Sequence, residues 1–238
     1  MIPVEQRSAG RVEGENWLEI EHCVFPDDLY YDLENNTWLR VEENDEVTIG
    51  VTSLLPAIAG KITLAKLKSA GVAIQRGKSL GTLESQKFVG PIPSPVSGIL
   101  LKTNGLVVDR PRIINDSPYE EGWIARLKPS HLTLERILLS KNTESKTVLA
   151  KKIAEFHVRC FKAFPDHEMS EIGTECSAVL IRLNDLLATI PLGEVVHLVS
   201  DDPTAYVEMV VWSERTGQSL ADWRKEGNLF HFIVKKMH

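Results

Sequence analysis

The chain has little cysteine, no dense basic stripe and no long apolar run, and each shortage removes a class of function. Its three cysteines, Cys23, Cys160 and Cys176, are too few and too far apart to read as a disulfide framework, so a reducing cytoplasm is the expected compartment. No Cys-x-x-Cys pair is present, which leaves a zinc ribbon or a thioredoxin-type dithiol without support. His157 and Cys160 are spaced like two ligands on one helix face, but no second pair completes a tetrahedral site, and no metal is expected. A net charge of -6 argues against a nucleic-acid partner. No stretch is apolar enough to span a bilayer and Met1 opens no signal-peptide pattern, so no membrane partner is expected. What is there is ordinary for a soluble globular chain: 238 residues, 43% apolar and 25% charged, enough for one large domain or two small ones with cores of their own.

Short strands dominate the first half. Residues 1–16 are polar and expected to fray, Trp17 to Phe25 reads as one strand, and Pro26-Asp27-Asp28 turns the chain. Strands follow over Trp38 to Glu42, Glu46 to Val51 and Lys61 to Lys66. Asn44-Asp45 is a turn, and Thr52 or Ser53 is placed to cap a short helix. Lys87 lies between a strand over Ser79 to Glu84 and another over Gly98 to Thr103. Gly90-Pro91, Pro93 and Pro95 are expected to stay outside any sheet ladder, so the lysine should point at solvent from a hairpin tip. The pattern loses its period of two near Val108 to Asn115, and Gly122 to Leu127 reads as a closing strand.

The run Glu84-Ser85-Gln86-Lys87, with its return Ser94-Pro95-Val96-Ser97-Gly98, resembles the lipoyl-lysine hairpin of the glycine cleavage H protein family. The likeness extends over about Tyr31 to Lys128, through Trp38-Leu39-Arg40-Val41, Thr48-Ile49-Gly50-Val51-Thr52, Ile114-Asn115-Asp116-Ser117-Pro118-Tyr119 and Gly122-Trp123. The resemblance implies an all-β lipoyl hammerhead domain and lipoate amide-linked to Lys87. It also implies that Glu84 is the acidic residue read by a lipoate ligase or lipoyl transferase. One departure is Asn36, where the family usually has a histidine two residues before the tryptophan.

From Pro129 the composition changes. His131 to Leu139 and Glu144 to Phe161 read as helices; in the second, Leu149, Ile153, Phe156 and Cys160 recur on one face, with Asn142 or Thr143 as cap. After Pro165 the expected order is a strand over Met169 to Ile172, a helix over Ala178 to Ile190 and a strand over Glu194 to Val199. A helix opened by Asp201-Asp202-Pro203 comes next, and a hairpin of Gln218 to Lys225 with Asn228 to Lys235 closes the chain. Tyr206, Val207, Val210 and Val211 are expected to form the inner face of the second helix, and Gly217 to stop it.

This half resembles the TusA/SirA/YedF-like sulfur carriers through Gly173 and Cys176, Leu192-Gly193-Glu194 and Ser200-Asp201-Asp202-Pro203. The family's Cys-Pro-x-Pro turn is here Cys176-Ser177-Ala178-Val179, without either proline. A thiol at a helix start is expected to gain thiolate character from the free amides, with Glu175 opposing it, which makes Cys176 a candidate persulfide carrier. The fold class is therefore an all-β lipoyl hammerhead domain, a helical connector and an α/β two-layer sandwich of TusA/SirA type. The boundaries are 1–29 for an extension, 30–129, 130–165 and 166–238.

Together the two resemblances imply a lipoate-bearing carrier, not an enzyme, that shuttles sulfur intermediates and reducing equivalents in sulfur-compound oxidation. Its partners would be a heterodisulfide-reductase-like complex and dihydrolipoamide dehydrogenase. A glycine cleavage H protein with an appended domain, serving the glycine cleavage enzymes, is the alternative. A non-lipoylated scaffold is the third reading.

Overall fold

The computed structural model describes residues 17–238, so the stretch expected to fray lies outside the described residues. The chain divides into two compact units, Met1–Arg159 and Cys160–His238.

In the first unit the single strand expected over Trp17 to Phe25 is a hairpin of β1 (Trp17–Ile20) and β2 (Cys23–Pro26). Glu21 and His22, with φ of 47° and 65°, make the two-residue left-handed turn that matches strand twist. A six-stranded sheet follows, built from β3 (Tyr30–Asp32), β4 (Thr37–Val41), β5 (Val47–Val51), β7 (Ala73–Ile74), β10 (Gly98–Thr103) and β11 (Ala125–Pro129). Its order is β3-β4-β5-β11-β10-β7. A second sheet of three strands, in the order β6-β8-β9, contains β6 (Ile62–Leu67), β8 (Ser79–Ser85) and β9 (Val89–Pro93). Leu39, Ile49, Leu100 and Leu127 of the first sheet share one core with Leu80, Leu83 and Ile92 of the second. Alternation along each strand sends these side chains to the same interior.

Short helices close the gaps between the sheets: α1 (Leu54–Ala59), α2 (Gly105–Asp109) and α3 (Ile113–Asp116). Ser53 holds the position before α1 but makes no cap bond; its hydroxyl instead lies 3.1 Å from the Tyr119 hydroxyl. Trp38 lies flat on Gly50, where a Cβ would come within 2.4 Å of the ring, and its Nε1 donates to the Val51 and Pro118 carbonyls at 3.0 Å each.

The helices expected after Pro129 are α4 (Leu132–Arg136) and α5 (Asn142–Glu155), both within the first unit. α5 packs Leu149 and Ile153 inward and rests on β1. Asn142 does not cap the helix: Lys141 occupies the cap, and the Asn142 amide donates to the Phe25 carbonyl at 2.9 Å. The helix stops at Glu155 because His157 turns left-handed (φ 50°), so Cys160 falls outside it and Phe156 is half exposed.

The second unit runs β12 (His167–Glu171), α6 (Cys176–Thr189), β13 (Val195–Ser200), α7 (Ala205–Thr216), β14 (Ser219–Glu226) and β15 (Leu229–Lys235). The sheet order is β12-β13-β15-β14, with β12 parallel to β13 and the other pairs antiparallel. Val196 and Leu198 of β13 and Phe232 and Val234 of β15 share one face, and both helices pack on it through Val179, Leu183, Leu187, Met209 and Trp212.

The inner face of α7 differs in part from the expected one: Tyr206 packs against the core as expected. Ala205, Met209 and Trp212 point inward, while Val207 and Val211 are 64% and 55% exposed. The helix starts two residues after Pro203, and the larger area of Met209 and Trp212 sets its rotation. Trp212 also donates from Nε1 to Asn184 Oδ1 at 3.0 Å, which ties α7 to α6. Gly217 stops the helix in the left-handed region (φ 72°). Among the described residues no helix is long and apolar enough to cross a membrane.

Candidate functional site

Lys87 sits in the turn Gln86–Phe88 that joins β8 to β9, and its side chain is exposed. The return strand is β9 rather than the stretch after Ser94, and it contains Pro91 and Pro93, paired with Thr82 and Ser79. This corrects the expectation that the prolines stay out of the ladder. β9 is an edge strand, so imide nitrogens directed away from β8 remove no ladder bond, and a neighbouring chain finds fewer donors to pair with. Ser94 to Ser97 then form a loop into β10. Ser94 Oγ donates to the Val96 carbonyl at 2.6 Å, and the amide and hydroxyl of Ser97 both donate to the Glu135 carboxylate of α4 at 2.6 Å. A Cβ on Gly98 would meet the Lys128 carbonyl at 2.4 Å, which accounts for the glycine ending this motif.

The turn is held from both ends. The Ser85 amide donates to the Phe88 carbonyl at 2.7 Å, and the Lys87 amide donates to Ser85 Oγ at 3.1 Å. Phe88 packs on the core and across Gly90, where a Cβ would come within 2.4 Å of the ring. The backbone of Lys87 is therefore fixed while its side chain leaves the surface. No ion pair involves its amine among the described residues. Glu84 lies on β8 just before the turn, with its carboxylate 3.3 Å from Lys66 Nζ on β6, an exposed pair that contributes little to stability. Asn36 has a left-handed backbone (φ 53°) in the turn from β3 to β4, and its Oδ1 accepts from Lys152 Nζ at 3.2 Å.

In the second unit Cys176 is the first residue of α6, a free thiol that is 4% exposed. The expected thiolate is not what this site favours. Asp202 already occupies the helix start: its Oδ2 accepts the Cys176 amide at 2.8 Å, while its Oδ1 takes the Thr204 amide at 2.8 Å and hydroxyl at 2.7 Å. Those Thr204 bonds, joined by the Cys176 amide, hold the Asp202 carboxyl below its ordinary range. The thiol has burial around it, the Glu208 carboxylate as hydrogen-bond acceptor and the Asp202 charge nearby, and it is pushed up to about 12. Sequence reasoning missed Glu208, which carries no local signal. It faces Cys176 only because α7 packs beside α6.

Residues 29–151 match the family model described as glycine cleavage H-protein. Glycine cleavage system H protein 2 of Aquifex aeolicus is 41% identical over 142 residues, which cover 60% of this chain and 88% of that protein. Probable glycine cleavage system H protein 2 of Sulfolobus acidocaldarius is 41% identical over 112 residues, 46% of this chain and 75% of that protein. A glycine cleavage system H protein from Mycobacterium marinum, solved by crystallography, aligns over 44% of this chain and 87% of its own at 28% identity and a TM-score of 0.43. With its family match spanning about half the residues and placing the Glu84–Lys87 hairpin inside it, the chain belongs to the glycine cleavage H-protein family.

Proposed function

We propose that Lys87 is the residue that bears lipoate, and that the chain works as a carrier whose arm visits partner enzymes in sulfur-compound oxidation. Proteins of this family carry lipoate covalently on a lysine. The observation that carries the assignment is an exposed, ion-pair-free amine on a turn whose backbone is pinned on both sides. Such a residue can be acylated without disturbing the sheet and leaves the product free to swing. Glu84, just before the turn, offers a lipoate ligase or lipoyl transferase a carboxylate three residues before the lysine. When bound, lipoate supplies a dithiol–disulfide couple able to hold an adduct or pass two electrons.

The sulfur assignment draws on the second unit, whose β-α-β-α-β-β order with a cysteine at the first helix start fits the TusA/SirA-like resemblance. In this reading the arm holds the cargo. Cys176, after its thiol proton is lost to solvent, takes the outer sulfur of a partner's persulfide, whose S–S bond breaks and whose thiolate leaves, and a heterodisulfide-reductase-like complex and dihydrolipoamide dehydrogenase receive sulfur and electrons. A second reading is favoured by the relatives' names, each a glycine cleavage system H protein. There the arm carries an aminomethyl group among glycine cleavage enzymes.

Intact mass of the protein purified from its own host tests the carrier. The mass of one lipoyl group, lost in Lys87→Arg, is expected; an unmodified chain supports the scaffold reading instead. Acceptance of an aminomethyl group from a glycine decarboxylase favours glycine. Sulfane sulfur retained on the lipoylated protein, whether on the arm or on Cys176, favours sulfur chemistry.

A further inference from the structure

A chain of side-chain and backbone contacts joins the hairpin tip to α1, α3 and β6. Ser85 Oγ accepts the Lys87 amide at 3.1 Å and donates to the Ala59 carbonyl at 2.6 Å, so one hydroxyl joins the turn to the end of α1. The next residue, Gly60, has φ 85° and ψ −164°, a conformation reserved for glycine, and a Cβ there would lie 4.0 Å from Lys87 Cδ. One carbon of the lysine stem, Cδ, therefore passes near Gly60 before the side chain leaves the surface. Gly60 is fixed in turn by Asn115 of α3, a buried residue whose amide donates to the Gly60 carbonyl at 3.0 Å while its Oδ1 accepts the Ile62 amide at 2.9 Å. Ile62 is the strand partner of Ser85 in the β6–β8 ladder, which closes the circuit.

We infer that Ser85 is a positioning residue for the acylation of Lys87, acting with Asn115 through the Ala59–Gly60 segment to aim the lysine stem at the enzyme that modifies it. The inference rests on the assignment of lipoate to Lys87. In that step the neutral amine attacks the acyl carbon of an activated lipoyl donor. An amide C–N bond forms, the bond from acyl carbon to the donor's leaving group breaks with its electron pair going to that group, and the one proton shed by nitrogen goes to solvent. Ser85 takes no part in those bond changes. Its hydroxyl restricts where Lys87 starts, and orientation of this kind controls the rate of a step between two held groups.

The test is lipoyl transfer by a purified lipoate ligase to the full chain, followed by intact mass, for the parent, Ser85→Ala and Ser85→Thr. Ser85→Ala is expected to lower kcat about tenfold with KM for the protein unchanged, because Glu84 and the hairpin surface remain, and Ser85→Thr is expected to restore it. A small acylating reagent, the N-hydroxysuccinimide ester of acetic acid, is expected to modify Lys87 equally in all three, since the amine is exposed in each. Asn115→Ala, which leaves Ser85 intact and frees Gly60, is expected to lower kcat in the same way and keeps the test open should Ser85→Ala prove unstable. Unchanged kcat in Ser85→Ala, a loss confined to KM, or a parallel loss with the small reagent would overturn the inference. A parent chain that is never lipoylated would instead remove the assignment of Lys87.

Discussion

Replacing Glu208 by Gln asks whether Cys176 is a working thiolate or a buried thiol. With the thiol pushed up to about 12 from an ordinary 9.0, the thiolate fraction at pH 7 is on the order of one molecule in a hundred thousand, against about one in a hundred for an unperturbed group. Alkylation by iodoacetamide should therefore be roughly a thousandfold slower than for an ordinary thiol, before burial slows it further. Its rate should rise about tenfold for each pH unit, with no plateau near pH 9. Glu208→Gln removes a negative charge and keeps the side chain's size, so labelling at pH 7 should speed up by about tenfold or more. The sign for stability follows from the same shift. A folded-state value raised above the unfolded one stabilises the fold fully below pH 9 and loses that contribution as pH climbs toward about 12, and the Gln variant should lose less. The assay is timed alkylation read by mass spectrometry across pH 6 to 11, with thermal melting beside it. Labelling at pH 7 as fast as a small free thiol, or a plateau near pH 8, would show that the amides at the helix start prevail over the two carboxylates and would refute this reasoning.

Other outcomes follow from single contacts. Lys87→Arg should abolish lipoylation by mass and leave the melting temperature unchanged, since the side chain is exposed and unpaired among the described residues. Gly50→Ala drives a methyl group into the Trp38 ring and should cost about 1–3 kcal/mol in denaturant unfolding, with quenched or shifted tryptophan emission. Asn115→Ala strands the Ile62 amide and the Gly60 carbonyl, for about 2 kcal/mol by the same unfolding assay.

The hairpin around Lys87 was legible because local chemistry fixes it: alternation along β8, a polar apex and a glycine that must pass beneath the Lys128 carbonyl. The place of Pro91 and Pro93 was not legible. A proline is excluded from a central strand but not from an edge, and which strand is the edge depends on sheet order, a tertiary property. The hairpin of β1 and β2 was hidden because Glu21 and His22 are not the usual residues of a left-handed turn. The inner face of α7 was misread for another reason. Val207 and Val211 have the right spacing, but Met209 and Trp212 offer more area to bury, and their contest is settled only where the sheet is present. Ser85 and Asn115 both lie in the quoted motifs, yet their bonds to Gly60 and its neighbours link positions distant in sequence.

The two reactive groups illustrate opposite uses of a fixed backbone. At Lys87 the sheet edge, Ser85 and Phe88 hold the main chain while nothing holds the amine, so the amine is open to solvent and to an acylating enzyme. At Cys176 the main-chain amide is tied to Asp202 and the sulfur is covered and hydrogen-bonded to Glu208. A helix start raises reactivity only while its amides still face the sulfur. Once a carboxylate has taken that amide and a second accepts a hydrogen bond from the protonated thiol, the same location stabilises the thiol. Placement at a helix N-terminus is therefore no measure of nucleophilicity here; the occupancy of the amides is.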